Sequence, residues 1–324
     1  MMPAEICVVI PTYRRPALLR RCLMAVVTQS LDADRYEVVV VDDGRDDATH
    51  AVVRDVAALT GGAPRLRYLQ PGGTRGPAGA RNVGWRATRA PLVAFTDDDT
   101  VPDRHWLREG CDAMRAGWVA AAGRVRVPAG PAPTDHARMT QGLERAEFVT
   151  ANAFVRRSAL DAVGGFDERY TRAWREDSDL HFSLMRLGQV GRARRAVVEH
   201  PVRDAPWGIS LRQQANVAFD ALLYKKHPDL YRERIRRRPP WHYLVIVVAT
   251  LAALAAALAG QGGVAAGCAA VAAAGALRFA RQRLRGASHA PAHVAEMVVT
   301  SFAIPFLALY WRAVGAWRYR VLFP

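Results

Sequence analysis

The spacing of apolar positions changes several times along the chain, and each change predicts an element. Cys7 to Ile10 (CVVI) is a short apolar run closed by Pro11, the pattern of a buried strand. Beyond Pro16, residues Leu19, Leu23 and Val26 recur at i, i+4 and i+7. That is one face of a helix with proline in its first turn. Tyr36 to Val41 (YEVVVV) is nearly all apolar and ends at Asp42-Asp43-Gly44, as in a parallel strand covered on both faces. Arg65 to Leu69 predicts a weaker strand, and Ala78 to Arg89 a helix after a Gly/Pro-rich loop. Leu92 to Phe95 predicts a further strand, and Pro102 to Ala116 a helix. Strands alternating with helices predict an α/β fold with a doubly wound, mostly parallel, Rossmann-like sheet. Ligands of such sheets bind beyond the carboxyl ends of the strands, where Thr12, Asp42, Asp43 and the triplet Asp97–Asp99 fall.

Near residue 240 the pattern changes. Tyr243 to Leu277 carries no charged side chain; one continuous helix of that length would run about 52 Å, against a hydrocarbon core of about 30 Å. Gly260-Gln261-Gly262-Gly263 interrupts it, which predicts two spans and a tight turn. A third apolar run, Val294 to Trp311, has Glu296 as its one charge before Arg312. It crosses, re-enters, or lies in the interface with Trp311, Trp317 and Tyr319. Basic clusters stand before the first span (Arg232 to Arg238) and after the second (Arg278, Arg281, Arg283, Arg285). The preference of such clusters for the cytoplasmic side turns the hairpin tip outward. The expected layout is a soluble domain over 1–228 in two halves, 1–102 and 103–228. A basic juxtamembrane linker follows over 229–240, then a transmembrane helical region over 241–324 with two to three helices. The expected location is the cell membrane, multi-pass, with the first domain cytoplasmic. Nothing ahead of the first strand reads as a secretory leader.

Composition narrows the function classes. With 51% hydrophobic residues the chain is no disordered polymer. A formal net charge of +15 suits an anionic partner, but no basic stripe with interleaved aromatics marks a nucleic-acid binder. The Arg clusters flank the spans, where membrane lipid is the nearer partner. Four cysteines lack paired spacing, so neither a disulfide framework nor a zinc site is expected.

The stretch VAFTDDDTVP carries the chemistry. Three adjacent carboxylates repel one another unless a cation sits among them. A hard divalent ion, Mg²⁺ or Mn²⁺, takes such oxygen ligands together with substrate phosphates. In an extended segment Asp97 and Asp99 point to the same side. The competing reading is a polar turn.

Taken in order, VVIPTYRRP, VVVVDDG, GPAGARNVGW and VAFTDDDTVP resemble the nucleotide-sugar half of a family 2 glycosyltransferase with the GT-A fold. TANAFVRRSALDAVGGFDERYTRAWREDSDLHFSLMRLG is similar to that family's acceptor half, so the likeness covers roughly residues 5–225. The resemblance implies roles. Pro11 and Thr12 open the loop against the nucleotide, Asp42 or Asp43 bonds the base, and Arg81 approaches the base or diphosphate. Asp97 and Asp99 form the Asp-x-Asp motif, with Asp99 the direct metal ligand and Asp97 its companion, and Asp97 and Asp98 bind the nucleotide-sugar. Asp177, next to Glu176, matches the general base, and Trp174 is an acceptor platform or core packing. His200 is a late metal ligand or a structural histidine. Processive members carry Gln-x-x-Arg-Trp after the base; here GISLRQQANVAFDALLYKKHP has Arg212, Gln213 and Gln214 but no Arg-Trp pair. The implied activity is inverting transfer of one sugar from a nucleoside-diphosphate sugar to a glycan or lipid-linked acceptor, with no partner protein evident. A sugar-phosphate nucleotidyltransferase would need a Gly-rich loop where PTYRRP stands. A non-catalytic membrane adaptor would be expected to have lost the triplet or Asp177.

Overall fold

A computed structural model describes residues 4–72 and 76–324. The middle of the Gly/Pro-rich loop, 73–75, and the first three residues lie outside the described residues. By contact the chain divides into two compact units, Met1–Pro128 with Gln141–Val202, and Ala129–Thr140 with Arg203–Pro324. The composition change near 240 falls inside the second.

Among the described residues the first unit is built on eight strands: β1 (Ile6–Thr12), β2 (Tyr36–Asp42), β3 (Arg65–Leu69), β4 (Leu92–Phe95), β5 (Val101–Pro102), β6 (Ala120–Arg126), β7 (Ala153–Arg156) and β8 (Val190–Glu199). Their order is β3-β2-β1-β4-β7-β6-β8-β5. The strands β3, β2, β1 and β4 pair in parallel, as the alternation of strands and helices requires. β7 then runs antiparallel to both β4 and β6, β8 lies parallel to β6, and β5 is antiparallel to β8. Three of the four parallel pairings therefore belong to the first half, β6 with β8 is the fourth, and the sheet as a whole is mixed.

Period-two alternation along β1 explains its all-apolar sequence. Ile6, Val8 and Ile10 join one core layer with Leu19, Leu23 and Val26 of the helix Pro16–Val27. Cys7 and Val9 join the other with Trp85, Phe95 and Leu180. The helix Pro77–Arg86 lies on that second face, and Gly84 is what lets it approach: a Cβ there would stand 2.3 Å from Val9 Cγ1.

The expected helix over Pro102–Ala116 is a correction. Val101 and Pro102 form β5 against Val198 and Glu199, and the helix covers Trp106–Met114. The residue before a proline disfavours helical backbone, so Val101 is extended. Asp103 restarts the chain by accepting from the His105 N–H at 2.9 Å. The Gly-Gly turn expected near 164 is present: Gly164 and Gly165 have φ of 79° and 77° after the helix Arg157–Val163.

Three helices of the second unit are long and apolar enough to cross a membrane: Trp241–Leu258, Gly262–Leu284 and Pro291–Tyr319, with mean hydropathy 2.1, 1.6 and 1.6. The third apolar run is thus one continuous 29-residue helix with Pro305 inside it. Within this unit Arg283 is buried. It donates to Asp135 Oδ2 at 2.7 Å, Thr300 Oγ1 at 2.7 Å, Ser210 Oγ at 3.1 Å and Ser301 Oγ at 3.2 Å. The Asp135 N–H donates to His293 Nε2 at 3.0 Å, and the Ser288 N–H to the Pro133 carbonyl at 2.8 Å. The segment Ala129–Thr140 is thereby tied to the ends of the second and third long helices.

Candidate active site

The C-terminal ends of β1, β2 and β4 lie side by side, because Thr12 pairs with Asp42 and Val9 with Phe95. Beyond Phe95 the chain turns tightly. The Thr100 N–H donates to the Asp97 carbonyl at 3.2 Å, and the Thr96 and Thr100 hydroxyls meet at 2.7 Å. The turn sends the three carboxylates to three different places, which is how their repulsion is relieved. Asp97 is half-buried and takes Nη2 of Arg81 at 2.7 Å. Asp98 is buried and accepts from Thr12 Oγ1 at 2.7 Å and Arg15 Nη1 at 3.4 Å. Asp99 is buried with Oδ1 3.5 Å from His200 Nε2. Burial pushes Asp98 up to about 6 against the opposing pull of Thr12 and Arg15.

His200 reaches this point from β8. Its N–H donates to the Arg126 carbonyl at 2.7 Å, one residue after Glu199 pairs with Val101 of β5. Nδ1 faces the Pro201 carbonyl at 3.4 Å, so a proton held there leaves the Nε2 lone pair toward Asp99. Asp97, Asp99 and His200 each offer one donor atom, and these lie within 4.8 Å of one another. Two carboxylate oxygens and an imidazole are a donor set that suits Mn²⁺ and tolerates Mg²⁺. A divalent ion fits the residues present.

Arg81 sits on the helix Pro77–Arg86 and is 2% exposed. Besides Asp97, it donates Nη1 to Glu176 Oε1 at 3.2 Å, and its guanidinium stands 5.7 Å from the Phe166 ring centre. Both terminal nitrogens are thus engaged by carboxyl groups, an arrangement the resemblance did not anticipate. Asp42 is fully buried and accepts from the Gly44 and Asp46 N–H groups, at 2.9 and 2.8 Å, and from the Tyr68 hydroxyl at 2.7 Å. It shapes the loop after β2. Asp43 uses Oδ2 to accept from the Gly76 N–H at 2.6 Å, while its buried Oδ1 has no hydrogen-bond partner among the described residues. Pro11 is buried within β1.

The helix Glu176–Leu187 starts after Arg175, whose φ is 73°. Glu176, Asp177 and Asp179 occupy its first turn, where the helix dipole favours negative charge. Glu176 is buried, and its Oε2 has no hydrogen-bond partner among the described residues. Burial pushes Glu176 up to about 8, with the Asp177 charge adding and Arg81 opposing. Asp177 is raised too, by burial first, against the pull of the Ser178 N–H that donates to it at 2.6 Å. Trp174 is half-buried, with the Arg175 guanidinium 4.9 Å from its ring centre.

Sequence reasoning missed three supports. Arg15 faces Asp98, Tyr68 holds Asp42, and Asn82 ties the helix Pro77–Arg86 to the Gly-Gly turn. Asn82 accepts from the Phe166 N–H at 2.9 Å and donates to the Phe166 carbonyl at 2.8 Å. Its place inside GPAGARNVGW, one residue after Arg81, was the available signal.

A sheet of this order, with carboxylates and a histidine gathered past its strand ends, defines the GT-A class of sugar transferases. The likeness to solved structures agrees. Mannosyltransferase PcManGT from Pyrobaculum calidifontis, solved with GDP-Man and Mn²⁺, superposes with TM-score 0.62 at 20% identity, over 97% of this chain and 89% of that one. The family described as Glycosyl transferase family 2 matches residues 7–167, and that described as Glycosyl transferase family group 2 matches 92–314. The chain belongs to glycosyltransferase family 2. It is 27% identical to Glycosyltransferase AglE of Haloferax volcanii over 225 residues, 65% of this chain and 70% of that protein. It is 29% identical to validoxylamine A glucosyltransferase of Streptomyces hygroscopicus subsp. jinggangensis, over 70% of this chain and 62% of that one. It is 31% identical to pre-mycofactocin glycosyltransferase of Mycobacterium tuberculosis, over 69% of this chain but 48% of the relative. The chain spans less than two thirds of the latter two proteins.

Proposed function

We propose that this glycosyltransferase moves one sugar, with inversion, from a nucleoside-diphosphate sugar to a hydroxyl of a lipid-linked or membrane-surface glycan. Asp177 takes the proton from the acceptor hydroxyl. The freed oxygen attacks the anomeric carbon, the bond from that carbon to the diphosphate oxygen breaks, and the nucleoside diphosphate leaves. A single displacement inverts the anomeric centre. Asp97, Asp99 and His200 hold a divalent ion, Mg²⁺ or Mn²⁺, which when bound offsets charge on the diphosphate. Asp43 rather than Asp42 faces the base, since the Asp42 carboxylate already accepts three hydrogen bonds. Pro11 and Thr12 line the nucleotide side, with Asp98 held behind them by the Thr12 hydroxyl. Trp174 is the acceptor platform. The absence of an Arg-Trp pair after Gln214 favours single transfer over polymer synthesis.

We place the protein in the cell membrane through the helices after residue 240, with 1–228 as the cytoplasmic catalytic domain and 229–240 as a basic linker. The three apolar helices support this reading. The observation that carries the function is the pairing of two carboxyl sites through one buried cation: Asp97 of the metal cluster and Glu176 beside the base share Arg81. The test is a titration of detergent-purified protein with UDP, GDP and dTDP, with and without Mn²⁺, beside Asp99→Asn. Metal-dependent binding of one nucleotide, lost in the variant, is expected. Folded protein that binds no nucleotide would overturn the reading in favour of a non-catalytic adaptor.

A further inference from the structure

The second long helix, Gly262–Leu284, ends in a basic face. Arg278 and Arg281 lie one turn apart near its end, Arg285 follows as the extended residue that caps it, and all three are exposed. Beside this face and the third long helix lies a groove of about 340 Å³. Leu277, Leu284 and Val298 give it an apolar floor, and Arg281, Arg285 and His289 stand at its rim. Neither rim guanidinium has a carboxylate partner among the described residues. The acidic groups on the packed elements are committed elsewhere: Asp135 to Arg283 at 2.7 Å, and Glu296 to the Gly208 N–H at 2.9 Å. The rim is also held in shape. Arg138 donates Nη1 to the carbonyls of Arg283 and Arg285, and Gly286, with φ of 69°, reverses the chain toward His289.

We propose that this groove binds an anionic glycerophospholipid, an acyl chain on the apolar floor and the headgroup phosphate against Arg281 and Arg285. Apolar floor and cationic rim match the two parts of such a molecule in the order in which a bilayer presents them, chain below and phosphate above. Guanidinium groups match phosphate with paired donors. A zwitterionic lipid brings its own cation to the same rim and is disfavoured by it. The inference rests on the reading that the three helices cross a bilayer, and it concerns a lipid of the membrane itself.

The test uses the full chain in detergent. Native mass spectrometry compares phosphatidylglycerol with phosphatidylcholine of the same acyl chains. Selective retention of phosphatidylglycerol is expected. The double variant Arg281→Gln/Arg285→Gln should reduce it about tenfold or more, while Arg278→Gln, off the groove, leaves it near the native level. Equal retention of the two lipids overturns the proposal, as does an equal loss in Arg278→Gln, which would mean diffuse attraction. Displacement of phosphatidylglycerol by a polyprenyl phosphate added at equal concentration also overturns it, assigning the groove to an acceptor. An alkaline carbonate wash of the membranes separates the two readings. Release of the protein removes the membrane reading; retention without lipid selectivity removes this proposal alone.

Discussion

Arg81 stands between Asp97 and Glu176, donating to one at 2.7 Å and to the other at 3.2 Å. The first carboxyl group follows β4; the second opens a helix 95 residues from Arg81. One buried guanidinium thus joins the turn after β4 to the first turn of the helix Glu176–Leu187. Its planar fork makes this possible, because two of its nitrogens point at two different groups at once.

Arg81→Ala is therefore expected to be destabilising. Removing one partner of a buried ion pair costs about 3–5 kcal/mol. The Asp97 side chain keeps 26% exposure, so the cost should fall near ~3 kcal/mol at the lower end of that range. Arg81→Lys restores charge without the fork, and should recover stability more than turnover. Thermal unfolding in detergent, read beside initial rates, checks both.

Asp177→Asn and Asp99→Asn should fail in different ways. Loss of Asp177, the base proposed above, should lower kcat by about 10²–10⁴ and leave nucleotide binding intact. Loss of a carboxylate from the cluster of Asp97, Asp99 and His200 weakens Mn²⁺-dependent nucleotide binding first. Calorimetry with Mn²⁺ separates the two, and equal binding loss in both would remove the division of labour.

Stability should depend on pH through Glu176. Its carboxyl, raised by burial to about 8 in the folded protein, holds a proton that the unfolded chain gives up at an ordinary carboxylate value. The folded state binds more protons across that window. Stability is then fully present below the unfolded value and declines as pH rises through about 8. The unfolding midpoint of the native protein should drop between pH 6 and pH 9. Glu176→Gln, which has no proton to lose, should show a smaller drop. Parallel curves for the two proteins would count against the raised carboxyl.

Gly84→Ala should disturb the site from behind. The added Cβ would meet Val9 Cγ1 at 2.3 Å, and overpacking of a tight core costs about 1–3 kcal/mol. Because the same helix carries Arg81, lost turnover is expected at temperatures where the variant is still folded.

Much of the first sheet was legible in the sequence, because β1, β2 and β4 are buried and write themselves as apolar runs ending in turn residues, while the partly exposed edge strand β3 leaves a weaker pattern. The location of the Asp triplet past β4 followed from the same pattern. Its internal division did not. Three neighbouring aspartates look alike in a string, and only the turn held by Thr96 and Thr100 sends them to Arg81, to Thr12 with Arg15, and to His200. His200 reaches Asp99 through the pairing of β5 with β8, a strand of two residues that no periodicity reveals. Likewise DDG gives no sign that Asp42 is used up by its own loop while Asp43 keeps an oxygen open. At the other end, the third long helix was ambiguous because Arg312 and the late aromatics suit either a span or an interfacial segment.

The excursion of Ala129–Thr140 into the second unit changes what a truncation means. The backbone passes between the units three times, after Pro128, after Thr140 and after Val202. A chain stopped at Val202 would still carry Ala129–Thr140, yet would lack the Arg283 and His293 that Asp135 uses. The helical part is sewn in rather than appended. A water-soluble form of the first unit is to be sought by also removing that helix-bearing segment, with Pro128 rejoined to Gln141, and not by trimming the C-terminus alone.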